Sequence, residues 1–348
     1  MLTPAVASAA PHSPPTARVL PAPEGGSRAE PYGQTASGLI FGRAYTAEGN
    51  AAAVTWRDGT PSLLDPTAAA SVAIRANLLD QIVGTRAAAG AESRAVVWSN
   101  GRARELLPPG AVSSSGWDIN NRGDVLLTSV QDTGATRLSL WRSGRFTTIT
   151  EGKDPRGELS DSGKVAYSRA DDAVVRLFPG GRELGPGTPV DINARNQVLI
   201  GHERRLALWT AGSRVDIGDL GGGSTHTGGG PVSYGPWLND SGRVVASSTT
   251  ANGELHAVTW KDGVLTDVTP SPPNLSWGLA VNQAGTVSAA TTQPKPGLFL
   301  WTNGKTTALP VPGGEGYPSA SALHPFLPRT AGIVVGRDFF TSTAYEWR

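Results

Sequence analysis

Apolar and polar positions alternate in short runs, separated by clusters of Gly, Asn, Asp and Ser. Residues 116–150 are representative. Gly116-Trp-Asp-Ile-Asn120 alternates briefly, and Asn121-Arg122-Gly123 turns the chain. Asp124-Val-Leu-Leu-Thr-Ser-Val130 is rich in strand formers and leads into the polar stretch Gln131–Ala135. Arg137-Leu-Ser-Leu-Trp141 and Arg145-Phe-Thr-Thr-Ile-Thr150 follow, divided by the tight turn Ser143-Gly144. This pattern predicts four short antiparallel strands, called A, B, C and D below.

The unit recurs. Its C strand ends in Trp-x-x-Gly at Trp56–Gly59, Trp98–Gly101, Trp141–Gly144, Trp209–Gly212, Trp260–Gly263 and Trp301–Gly304. Phe178-Pro-Gly-Gly181 is a degenerate copy, and Trp347-Arg348 is cut by the chain end. An interval of roughly 40 residues marks one supersecondary unit that must stack on its neighbours to bury a core. The A–B turn carries Asn-x-x-Gly at Asn120–Gly123, Asn239–Gly242 and Asn282–Gly285, with variants Asn77–Asp80, Ser160–Gly163 and Asn193–Asn196. Asn opens such a turn with a side-chain hydrogen bond, and the fourth position takes φ > 0, which Gly accepts freely. B strands such as Leu39-Ile-Phe-Gly42 and Ile82-Val-Gly84 are apolar runs closing on a small residue. They predict burial on both faces and close approach of a neighbouring sheet, with the unit's Trp filling the gap as core.

Eight C strands, at 56, 98, 141, 178, 209, 260, 301 and 347, predict an all-β fold. Its architecture is a β-propeller of four-stranded blades, eight in number, or seven if the short unit around Phe178 merges with a neighbour. The last unit stops at its C strand. Arg18-Val-Leu-Pro-Ala-Pro-Glu-Gly-Gly26, ahead of the first, matches the D strand and exit loop Thr307-Ala-Leu-Pro-Val-Pro-Gly-Gly-Glu315. An N-terminal strand is therefore expected to complete the last blade and close the ring, removing two exposed sheet edges. Residues 1–16 are read as a disordered tail or signal-peptide remnant, and 17–348 as a single propeller domain.

Composition agrees: 17% charged residues, 44 Gly and 27 Pro suit tight turns rather than helices. A net charge of +1 without basic or acidic blocks favours neither nucleic acid nor an anionic membrane surface, and no segment is long and apolar enough for a membrane span. With no cysteine, thiol catalysis and iron–sulfur ligation are excluded. The Ala7-Ser-Ala9 triplet fits a signal-peptidase site without its basic leader, so a secreted, extracellular protein is expected, with an ordinary Ala/Pro tail as the alternative.

The run Val215-Asp-Ile-Gly-Asp-Leu-Gly-Gly-Gly-Ser224, with Trp237-Leu-Asn-Asp-Ser-Gly242-Arg-Val-Val after it, resembles the bacterial extracellular HAF-repeat family. So does the order Asn-x-x-Gly-x-Val-Val followed by Ala-Val-x-Trp-x-x-Gly, over nearly the whole chain. The resemblance implies a secreted, propeller-like protein and carries no catalytic residue. Ser160 in place of the turn Asn, and the insertion Leu323-His-Pro-Phe-Leu-Pro328, depart from it.

Candidate chemistry is sparse. In a propeller the D–A and B–C loops share one face around the channel mouth, where ligand contacts are expected. Tyr32, Trp117, Tyr234, Trp237, Trp277 and Tyr317 fall in D–A connections or at the start of an A strand. Such rings stack on sugars; the competing reading is that they plug gaps between A strands or brace loops. His226, in the long loop Gly221–Gly230, is the candidate general base or ligand group, against an incidental loop histidine. Asp118, Glu158 and Asp191 occupy one position of three successive A strands, two before the turn residue. They are candidate channel carboxylates for a cation or ordered water, or else acids that bond nearby backbone N–H groups. No Gly-x-Ser-x-Gly elbow, zinc-type histidine pair, phosphate loop or calcium loop is present, so no catalytic set, metal or cofactor is expected. The expected function is a secreted, monomeric, non-enzymatic binding propeller recognising a glycan, a surface polymer or a protein. The alternative is a hydrolase or lyase at the channel mouth near His226.

Overall fold

The segments read between residues 116 and 150 form the antiparallel strands Ala111–Ile119, Val125–Gln131, Thr136–Arg142 and Arg145–Glu151 in the computed structural model. That structure describes residues 14–228, 235–269, 275–293, 295–312, 316–336 and 341–348. Strand A starts at Ala111 rather than Gly116, because the Ser-rich stretch ahead of Gly116 pairs with strand B instead of looping. Ser114 is buried there: its Oγ accepts the Ala95 N–H of the preceding unit and donates to the Leu106 carbonyl. Ser71 and Ser276 make the same bond to Ala53 and Ala257.

The described residues form 32 strands and no helix. Six sheets have four strands; the seventh has eight, made of two meanders, 221–267 and 275–309, joined by one parallel pair, Leu255 with Leu275. Each sheet otherwise follows sequence order, so A–B and C–D turns lie at one end and B–C and D–A connections at the other. Ala17–Val19 adds antiparallel to Ser342–Trp347, as the N-terminal match predicts. The matched segments also bond alike: Trp56 Nε1 donates to the Pro21 carbonyl and Trp347 Nε1 to the Pro310 carbonyl, both at 2.7 Å. Leu20, Ala29, Ile40 and Trp56 share a core with Ala322, Ile333 and Ala344, so the first and last sheets pack together.

The C-strand tryptophans are core. Trp56, Trp98, Trp260, Trp301 and Trp347 are buried, whereas Trp141 and Trp209 are half-buried and carry the guanidinium groups of Arg104 and Arg182 over their rings. The small B-strand residue has a different cause from the one expected. A Cβ on Gly84 would run into the Val72 carbonyl of its own sheet, because strand A bulges there, between Ala73 and Arg75. Neighbouring sheets approach instead at the A-strand glycine: a Cβ on Gly116 would lie 2.6 Å from the Gly84 carbonyl oxygen.

The unit that follows Asp216 departs most from its expected form. Gly221–His226 is a strand paired with Val244–Thr250, not a flexible loop. Leu238 resumes the pairing opposite Val244, so the extra residues interrupt an A strand rather than precede it.

Candidate functional site

A strands from every unit converge on one cavity of about 380 Å³. Its lining includes the A–B turn residues Asn77, Asn120, Asn193 and Asn282, so it lies at the turn end of the channel, opposite the D–A loops where contacts were expected. The A-strand bulge sets what points inward. Register shifts fall between Pro31 and Gly33, Ala73 and Arg75, Gly116 and Asp118, and Pro189 and Asp191. In successive units they aim Gly33, Arg75, Asp118 and Asp191 at the cavity, with Glu158 at the same position of the intervening unit. The later units present Leu238, Val281 and Leu323. At these strand positions one wall is therefore charged and the other apolar, with Asp240 and Gln283 joining the lining from the turns of the later units.

The three channel carboxylates predicted from sequence are brought together. Asp118 Oδ1 accepts the Ile119 N–H at 2.8 Å and Oδ2 the Leu159 N–H of the next unit at 2.9 Å. Asp191 Oδ1 accepts from Ile192, and Oδ2 from Trp237 (2.7 Å) and Leu238 (2.9 Å). Both acids thus bond backbone N–H groups, as their competing reading has it, and stitch adjacent units. No donor among the described residues reaches the Glu158 carboxyl. All three keep partial access to the cavity yet sit deep in the protein. Burial pushes the Glu158 carboxyl well above the usual glutamate range, the nearby Asp118 and Asp191 charges push the same way, and Arg75 opposes them. Burial also raises Asp118 and Asp191 against the pull of Arg75 and of their N–H donors.

The turn asparagines do more than close turns. Asn120 Oδ1 accepts the N–H groups of Arg122 and Asp124, while its Nδ2 donates to the Ser160 carbonyl one unit on. Asn77 donates likewise to Asn120, Asn193 to Asn239, Asn239 to Asn282, and Asn282 to His324. A belt of side-chain amides therefore ties successive A–B turns around the cavity. The period of the turn motif was visible in sequence; the bridge was not, because its acceptor lies about 40 residues away.

Beside the cavity, Leu78 (40%), Leu79 (68%), Phe326 (50%) and Leu327 (40%) are exposed. Leu78 and Phe326 belong to its lining. Sequence reasoning passed over them, although Leu78-Leu79 fills turn positions that are polar in the copies Asn121-Arg122 and Asp240-Ser241.

The candidate aromatics do not form one face. Tyr32 is buried, donates its hydroxyl to Glu30 Oε2 and packs on the next unit beside Ala73 and Ile82. Trp237 is buried in the core with Leu238 and Trp260. These two rings are packing, as the gap-filling alternative has it. Trp277 and Tyr317 are half-buried in strands. Trp117 is 49% exposed at a bulge, its Nε1 donating to Thr128 Oγ1. Tyr234 lies outside the described residues. His226 is half-buried in its strand, opposite Ser247, and is not among the residues lining the cavity with Asp118 and Glu158.

This architecture is that of a β-propeller, and solved structures agree. The β-propeller domain of the Trilobed protease from Pyrococcus furiosus is similar at 13% identity and a TM-score of 0.52, over 83% of this chain and 99% of that one. The WD40 domain of SCAP from fission yeast is similar at 10% identity and a TM-score of 0.50, over 95% and 94%. At such identities the likeness concerns the fold alone. No protein-family model and no curated protein sequence matches the chain.

Proposed function

We propose that this protein is a non-enzymatic binding propeller that engages its ligand at the A–B turn end of its central channel. The observation that carries the reading is the cavity itself, which gathers a charged wall, an apolar wall and an exposed apolar rim in one place. Its volume falls within the range of about 300–1,000 Å³ usual for ligand pockets. The eight sequence units are taken as eight blades of a closed ring. This is supported by the strand pairing of the two termini, by the shared core of the first and last sheets, and by a cavity lined from every unit. Export, and membership of the HAF-repeat class, rest on the sequence patterns alone.

Screening the purified protein on glycan and peptide arrays tests the site. Any ligand found should be lost by Glu158→Gln and by Phe326→Ser, both of which should keep the wild-type circular dichroism. Retention by both variants would overturn the reading. A second reading, glycan stacking on loop-face rings, is favoured by the exposure of Trp117; it predicts loss with Trp117→Ala while the cavity variants bind normally. The hydrolase reading gains nothing from the position of His226, and turnover abolished by His226→Ala would restore it.

A further inference from the structure

Among the described residues, five carboxyl groups, those of Asp118, Glu158, Asp161, Asp191 and Asp240, share the cavity lining with a single guanidinium, that of Arg75. The chain as a whole is nearly neutral, at +1, so this excess of acidic groups is local. Four of the five are engaged by backbone N–H groups of an adjoining unit, Asp118 from Leu159, Asp161 from Asn121, Asp191 from Trp237 and Asp240 from Ala194, but the Glu158 carboxyl has no donor among the described residues. A carboxyl so placed is completed by a cation carrying N–H donors. Where the acidic wall ends, Phe326 and Leu78 continue the lining, and each has a second exposed neighbour, Leu327 and Leu79. Isolated exposed leucines are ordinary; paired ones on turns that border an acidic cavity are not.

Resting on the site reading above, we infer that the cavity mouth is a docking surface for a protein segment that inserts a lysine or arginine side chain toward Glu158 and lays flanking apolar side chains on the Leu78–Leu79 and Phe326–Leu327 rim. Charge complementarity selects this occupant. An anionic lipid surface or nucleic acid would meet the carboxyl groups with like charge. No group of three or more acidic or histidine side chains among the described residues converges closely enough to hold a metal ion. A free amine would satisfy Glu158 but leave the apolar rim uncovered. A long aliphatic stem ending in a charged head matches an apolar wall that gives way to an acidic one.

The test uses the full chain and fluorescein-labelled peptides in which one lysine or arginine is flanked by leucines, read by fluorescence anisotropy. Control peptides replace the basic residue by norleucine, or the leucines by serine. Basic apolar peptides should bind, more weakly as salt is raised, and the norleucine control should lose about thirtyfold or more, the range for truncating one partner of a desolvated charge pair. Glu158→Gln should cause a comparable loss with the melting temperature retained or raised. Phe326→Ser should weaken binding of the leucine peptides and leave the serine controls unchanged. Equal binding of the norleucine control, or no binding by any basic peptide, overturns the ligand class. If an uncharged array ligand is lost by Glu158→Gln and Phe326→Ser, the site stands and only the class fails. If both variants bind every ligand as wild type does, the site fails with it.

Discussion

At the residue scale, the Glu158 carboxyl of the cavity and the Asp172 carboxyl, in the turn between the strands Val165–Ser168 and Val174–Phe178, pull pH dependence in opposite directions. Glu158 is held well above its ordinary value of 4.5, so above that pH the unfolded chain gives up a proton that the folded protein keeps. Its contribution to stability is intact below the ordinary value and declines as pH rises toward the folded one. Glu158→Gln should flatten that decline and raise the melting temperature at neutral pH, which thermal scans across pH would check; an unchanged profile would place the carboxyl in water. Asp172 behaves oppositely. Hydrogen bonding from Arg169, with help from the Val174 N–H and Arg176, lowers its pKa to about 2 against the opposing effect of burial. Its contribution is present above 3.8 and lost as the solution is acidified toward 2, so Asp172→Asn should remove part of the acid limb of the same scans. The core tryptophans belong to this scale too. Trp56 is fully buried with its indole N–H bonded, and Trp56→Ala should cost about 3–5 kcal/mol in denaturant titrations, the range for deleting a large buried ring.

At the element scale, the A–B turn is both a local motif and an inter-unit tie, and substitutions can separate the two. Asn239→Ala removes the Oδ1 acceptor for Ser241 and Arg243 together with the donor to the Asn282 carbonyl. Asn239→Asp keeps the acceptors and removes only the donor. The alanine variant should lose about 2–3 kcal/mol and the aspartate variant a smaller part of it. Equal losses would mean that the tie, not the turn, carries the stability. The bulged A strand shows why the rest of the site was illegible. Sequence periodicity places Asp118, Glu158 and Asp191 at one position of their strands, but in the strands of Asp118 and Asp191 a single inserted residue decides which side chain faces inward, whereas the strand of Glu158 pairs without a shift. The same bulge leaves Trp117 exposed and Tyr32 buried, since what covers each ring belongs to the neighbouring sheet. Gly84→Ala should cost about 1–3 kcal/mol as its Cβ meets the Val72 carbonyl, measurable as a shift in denaturation midpoint.

At the scale of the whole molecule, the N-terminal strand is the joint. Ala17–Val19 covers the edge of Ser342–Trp347, and Pro21 receives the Trp56 indole N–H. Removing residues 14–21 should lower the melting temperature, expose an unpaired strand edge and promote concentration-dependent association, visible by light scattering. Unchanged melting would mean that the terminal sheet holds without its outer strand. That joint was readable from the matched Leu-Pro segments, because equivalent sequences make equivalent strands and even equivalent indole bonds.

The sequence alone determined the four-strand unit, its turns, its recurrence and the core role of the tryptophan, since each follows from contacts within one repeat, where propensity and spacing are local. It also placed the three channel carboxylates at one strand position. Only the tertiary structure decided that these acids meet in a single cavity, that the cavity lies at the A–B end, and that Leu78 and Phe326 border it. Side chains far apart in sequence become neighbours there through strand register, bulges and the packing of one sheet on the next, none of which a single repeat encodes.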